Sequence, residues 1–81
     1  MPSGRPDIKE LDRVVLTEPL RERGLRAGDI GTVVDVYADG EGFEVEFCTL
    51  TGETVAVATL EAGQVRPVQE GELPTARRIA G

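Results

Sequence analysis

Histidine and tryptophan are missing from this 81-residue chain, cysteine occurs once, and only Tyr37, Phe43 and Phe47 are aromatic. Each absence removes a class of function. Without histidine, the commonest general base and metal ligand is gone. Cys48 has neither a histidine nor a basic sequence neighbour to activate it, so it reads as a small packing group beside Phe47. A lone cysteine leaves no internal disulfide and fits a reducing compartment. No apolar run approaches the ~18 residues that a membrane-spanning helix needs. The amino-terminal MPSGRPDIKE lacks the apolar segment of a secretory signal. The expectation is a soluble, cytoplasmic, non-catalytic protein without cofactor or metal.

Lysine and arginine are also absent from the whole stretch between Ala27 and Val65. Eight acids occupy it: Asp29, Asp35, Asp39, Glu41, Glu44, Glu46, Glu53 and Glu61. The net charge is −6, and all nine basic residues lie towards the two ends. Binding a phosphate backbone requires clustered Lys and Arg, because affinity scales with the phosphates neutralised. The acidic middle offers none, and Tyr37 is the one candidate for an exposed stacking ring. Arg21, Arg23 and Arg26 alternate with Glu22 on a single stretch, which reads as a solvated loop rather than a phosphate site. Nucleic acid is therefore not expected as a partner, nor is a membrane.

What the chain does have is period-two hydrophobicity. FEVEFC (43–48) alternates cleanly, sending Phe43, Val45 and Phe47 inward and Glu44 and Glu46 to water. Those two acids stand roughly 7 Å apart by strand rise. A solvated stripe explains them better than a carboxylate pair or divalent-ion site. DIGTVVDVY (29–37) is the strongest strand, and TVAVATL (54–60) is another. Asp39-Gly40 in ADGEG supplies a tight reversal, and TLTGE turns through Gly52. Upstream, LDRVVL (11–16) forms a strand with Val14 and Leu16 facing the core, and Leu11 and Val15 on the other, partly covered face. In TEPLRERGL, Thr17 is placed to cap a turn of helix, with Pro19 near its start and Gly24 past its end. EAGQVRPV (61–68) predicts a helical turn and then a short closing strand, confined to an edge by Pro67. Gly31 and Gly42 stand where a small sheet must bend or let backbones approach.

About five short strands in one small domain, which buries only roughly 60% of its unfolded surface, predict an all-β barrel over 11–68. Flexible tails are expected at 1–10 and 69–81, where Pro, Gly and polar residues break any periodicity.

The order DRVVLTE, GLRAGDIGTVVDVY, FEVEF, TVAVATL, QVRPV resembles a family of small uncharacterised bacterial proteins, a domain of unknown function. Its members carry a VVLT-loop-GL-x-x-GD-x-GTVV opening and an x-x-LRPV-type ending. The resemblance covers 11–68. More distantly, the GD-x-GTVV turn is similar to KOW-type SH3-like barrels and to the barrel of the nitrile hydratase beta subunit. These resemblances imply an SH3-like barrel with a longer early loop, and they transfer no catalytic residue. Some family members look like partners of toxin-like proteins or enzymes encoded nearby.

A protein-interaction module is the function that remains. Clustered charge of one sign speeds encounter with an opposite surface and disfavours wrong partners. The expected surface carries Asp35, Glu44 and Glu46, with Tyr37 and Leu20 as apolar anchors and Arg21 and Arg23 on the loop at its rim. The expected partner is a basic protein encoded nearby, with this chain as its antitoxin-like or accessory subunit. A homodimer is a further arrangement that fits. The alternatives are a KOW-like nucleic-acid-associated barrel, and an accessory subunit or chaperone of a metalloenzyme such as nitrile hydratase.

Overall fold

Phe43, Val45 and Phe47 project to one side of a single strand, and all three are buried. In the computed structural model of the chain, which describes residues 8–79, that strand lies within one antiparallel sheet. The strands are β1 (Arg13–Leu16), β2 (Ile30–Tyr37), β3 (Gly42–Cys48), β4 (Thr54–Glu61) and β5 (Val65–Pro67). Their order across the sheet is β4-β3-β2-β1-β5, the arrangement of an SH3-like barrel. Short 3-10 turns at Arg21–Arg23, Ala38–Gly40 and Ala62–Gln64 are the only helical elements among the described residues. The all-β fold expected from the alternation is the fold adopted.

The core is aliphatic with two aromatic rings. Val14 and Leu16 of β1, Val33 of β2, Phe43, Val45 and Phe47 of β3, Ala56, Ala58 and Leu60 of β4 and Val65 of β5 form one buried cluster, completed by Ile8 and Leu25. Ile8 thus packs inside a segment expected to be a tail; residues 1–7 of that tail lie outside the described residues. β2 approaches β3 closely at Gly31. A methyl group there would stand 2.5 Å from Val45 Cγ1 and 2.9 Å from Phe47 Cε1, so only a bare Cα lets β2 pass this close to β3. At Gly42 the nearest neighbour of such a methyl would be the Leu60 carbonyl at 3.5 Å, ordinary contact, so no close approach requires that glycine.

A bulge decides which way β2 points its side chains. Val33 pairs with Val45, yet Asp35 pairs with Glu44, so Val34 is the extra residue between them. Before the bulge, Gly31 and Val33 face inward; after it, Val36 packs on the core while Asp35 and Tyr37 are exposed. Without that inserted residue, strict alternation would have sent Asp35 and Tyr37 inward with Val33.

Three local expectations are corrected. Thr17 does not cap the Arg21–Arg23 turn, whose N-cap is Leu20 with no side-chain bond. Instead the Thr17 hydroxyl donates to the Gly63 carbonyl at 2.8 Å, tying the early loop to the β4–β5 turn. Gly24 does follow the turn in the left-handed conformation, at φ 70°. Leu11 is not on a covered strand face: it precedes β1 at φ 75° and is 76% exposed, whereas Val15 is buried. Cys48 does not pack beside Phe47, because alternation along β3 turns it outward and leaves it an exposed free thiol.

The segment after β5, expected to be a flexible tail, lies against the barrel in the structure. Arg66 of β5 pairs with Glu72 through two bonds, Nη1–Oε1 at 2.9 Å and Nη2–Oε2 at 2.6 Å. The Gln69 N–H also donates to Glu72 Oε1 at 2.6 Å, which closes the turn. A narrow groove of about 200 Å³ separates Leu73 and Pro74 from Val15 and Ile30. Further on, Arg77 reaches Asp29 and Ile79 packs against the core.

Candidate functional site

The outer face of β2, β3 and β4 is assembled by register. Asp35 stands opposite Glu44, which stands opposite Thr59; one row away, Thr32 is opposite Glu46, and Glu46 is opposite Val57. Neighbouring strands are roughly 4.8 Å apart, so three carboxylates share a small area. Asp35, Tyr37, Glu44 and Glu46, read from the sequence as one surface, are brought together here.

Hydroxyl groups hold the carboxylates in place. Thr59 donates to Glu44 Oε1 at 2.6 Å, and the Tyr37 phenol donates to the same oxygen at 3.3 Å. Thr54 donates to Glu46 Oε2 at 2.7 Å. Asp35 Oδ1 accepts the Val36 N–H at 2.9 Å. Partial desolvation, followed by the charges of Glu44 and Asp35 and the hydrogen bond to Glu44, raises the Tyr37 phenol above its ordinary 10.0. Tyr37 is 41% exposed and Val57 42% exposed, so an aromatic and an aliphatic group border the acids. Thr54, Val57 and Thr59 were not singled out from the sequence. The alternation of β4 against FEVEFC was the signal for Val57 and Thr59; Thr54 has the parity of the buried Ala56, Ala58 and Leu60, and the register shift between Phe47 and Cys48 turns it to this face.

The loop residues divide. Arg23 lies at the rim, where its Nη1 donates to the Val57 carbonyl at 3.4 Å on the free edge of β4. Arg21 is exposed on the same turn. Leu20 pairs with Leu25 and packs against the core, so its side chain is held by the fold rather than offered as an anchor. Arg13, opposite Thr32 on β1, bounds the acidic area on the other side.

A second constellation joins the early loop to the carboxyl-terminal segment. Arg77 Nε donates to Asp29 Oδ1 at 2.9 Å, Arg77 Nη2 donates to Asp29 Oδ2, and the same Nη2 donates to the Gly24 carbonyl at 3.3 Å. Asp29 Oδ2 also accepts the Arg26 N–H at 2.8 Å. Burial alone would raise the Asp29 carboxyl, but the hydrogen bonds from Arg77 and Arg26 and their charges outweigh it and hold it below 3.8. Asp29 closes the turn that enters β2, its N–H returning to the Arg26 carbonyl, and nothing in the sequence marks the arginine it holds.

Among the described residues no group of three or more Cys, Asp and Glu side chains is arranged to hold a metal ion, and no helix is long and apolar enough to cross a membrane. No curated protein and no solved structure matches the chain. Residues 10–67, from the turn before β1 to the last residue of β5, match the family described as Domain of unknown function (DUF4926), and the chain belongs to that family.

Proposed function

We propose that the chain is a non-catalytic interaction module whose anionic face, Asp35, Glu44 and Glu46 with Tyr37 and Val57, docks a cationic surface of a partner protein. One observation carries this reading. Asp35 and Glu44 are direct cross-strand neighbours, and like charges in that position destabilise a sheet. A fold that sets two carboxylates side by side, with a third one row away, gives up local stability that an incoming cation restores. Hydroxyl bonds from Thr54, Thr59 and Tyr37 keep the acids oriented beforehand, which lowers the ordering cost of binding. Tyr37 supplies the amphipathic ring that interface centres favour. The same charge repels phosphate backbones. Within this reading the partner is a basic protein made alongside the chain, which acts as its antitoxin-like or accessory subunit.

Affinity capture with charge-matched variants tests the proposal. The chain and a D35N/E44Q/E46Q variant are each used to capture proteins from the native cell lysate, beside a control with three acids neutralised elsewhere, E10Q/E22Q/E70Q. Both variants change the net charge equally. A basic protein retained by the wild type and by the control, and lost from the face variant, supports the reading. Equal loss from both variants, or capture of nucleic acid, overturns it.

A further inference from the structure

The carboxyl-terminal arm is attached to the barrel at its two ends and little between. At one end is the Arg66–Glu72 pair; at the other, Arg77 holds Asp29 and the Gly24 carbonyl, and Ile79 packs half-buried against the core. Between these points Leu73 is 85% exposed, and Thr75 and Ala76 are exposed as well. The arm forms one wall of an open groove of about 1050 Å³, facing Leu25, Ile30, Phe47 and Val55.

The receiving side is organised by its own loop. The Arg26 N–H orients Asp29, the Asp29 N–H returns to the Arg26 carbonyl at 3.0 Å, and Gly24 holds its left-handed turn through an N–H bond to Arg21. Gly24, Asp29, Ile30 and Phe47 all lie inside the span matched to the family, whereas Arg77 and Ile79 lie beyond it. The surface that receives Arg77 and Ile79 therefore lies within the matched span, and the arm itself lies beyond it.

We infer that the surface under the end of the arm, formed by the Asp29 carboxylate, the Gly24 carbonyl and the core beside them, is a recognition site for an extended segment carrying arginine two residues before an aliphatic side chain, filled in cis by Arg77 and Ile79 and open to the same pattern on a partner protein. The guanidinium fork matches a carboxylate at two points, which a lysine cannot do. The aliphatic residue packs on the core beside that carboxylate, as Ile79 does. A short tether gives the cis arm an effective concentration of order millimolar, so a partner segment competes with it rather than adding to it. The inference concerns a site apart from the anionic face and does not rest on that reading.

The test uses the full chain and a fluorescent peptide of residues 73–79, LPTARRI. An R77Q/I79S chain, whose own arm is weakened at both contacts, binds the peptide about tenfold tighter than the wild type, because the cis competitor is gone. Replacing the first arginine of the peptide, as in LPTAQRI or LPTAKRI, abolishes most of that binding; replacing the second, as in LPTARQI, leaves it. Equal affinity of both chains, indifference to the first arginine, or no binding at millimolar peptide overturns the proposal. A second readout needs no variant chain. Excess LPTARRI speeds amide exchange at residues 73–79 of the wild type, whereas LPTAQRI does not. An arm whose exchange ignores the peptide contradicts the proposal.

Discussion

Arg77 grips Asp29 across 48 residues of chain, through two guanidinium–carboxylate bonds and a third bond to the Gly24 carbonyl. The pair fixes the end of the carboxyl-terminal arm to both sides of the loop that enters β2. It also ties the position of the arm's far end to one carboxyl group, as the Arg66–Glu72 pair ties its near end to another.

That dependence has a sign. Asp29 titrates below 3.8 in the fold, so its stabilising contribution is fully present above that pH and is lost as pH falls through the lower, folded value. Glu72 behaves the same way: its bonds from Arg66 and the Gln69 N–H lower it from 4.5 to about 2, so its contribution fades across that interval. Acidification is expected to free the arm before the barrel unfolds. Methyl resonances of Ile79 should hold their folded positions down to pH 3.8 and move towards random-coil positions only below it, and Asp29→Asn should produce that shift already at neutral pH.

Tyr37 is the only tyrosine, so an ultraviolet titration reports it without ambiguity. Its phenol should ionise above 10.0, because partial desolvation and the charges of Glu44 and Asp35 disfavour the phenolate. Glu44→Gln removes a charge and weakens the acceptor, and should bring the midpoint down towards 10. A phenol that already titrates at the ordinary value in the wild type would mean that the three groups do not share a face.

Asp35→Lys turns a like-charge cross-strand pair with Glu44 into an opposite-charge pair. The urea midpoint is expected to rise with the slope unchanged, while capture of the basic partner is lost. Gain of stability with loss of binding is the signature of a surface kept for recognition.

Gly31→Ala tests the close approach of β2 to β3. The added methyl meets Val45 Cγ1 at 2.5 Å, Phe47 Cε1 at 2.9 Å and the Glu46 carbonyl at 3.0 Å, and one of these is backbone. Such overpacking costs ~1–3 kcal/mol. Gly63→Ala, with nothing within 4 Å of the new methyl, should stay within about 0.5 kcal/mol of the wild type by the same urea assay.

How much of this was legible depended on the range of the interaction. FEVEFC announced β3 because Phe43, Val45 and Phe47 alternate with Glu44 and Glu46, and burial follows that alternation. The same alternation turns Cys48 outward, away from the packing side that Phe47 occupies. Asp35, Tyr37, Glu44 and Glu46 were named together, yet the bulge that brings Asp35 opposite Glu44 is one extra residue with no local mark in IGTVVDVY. Leu20 looked like a free apolar group because its pairing with Leu25 forms only when the loop closes. The Arg77–Asp29 pair was invisible for the same reason: a tail without periodicity carries no sign of a partner 48 residues away.

Amide chemical-shift mapping of the isotope-labelled chain tests the anionic-face proposal most directly, using the protein recovered by affinity capture and, separately, a single-stranded RNA at low salt. The account predicts that the captured protein shifts the amides of Asp35, Tyr37, Glu44, Glu46 and Val57 most strongly, and that the RNA shifts none. Perturbations gathered away from those five residues, or RNA-induced shifts that vanish as sodium chloride is raised, would contradict it.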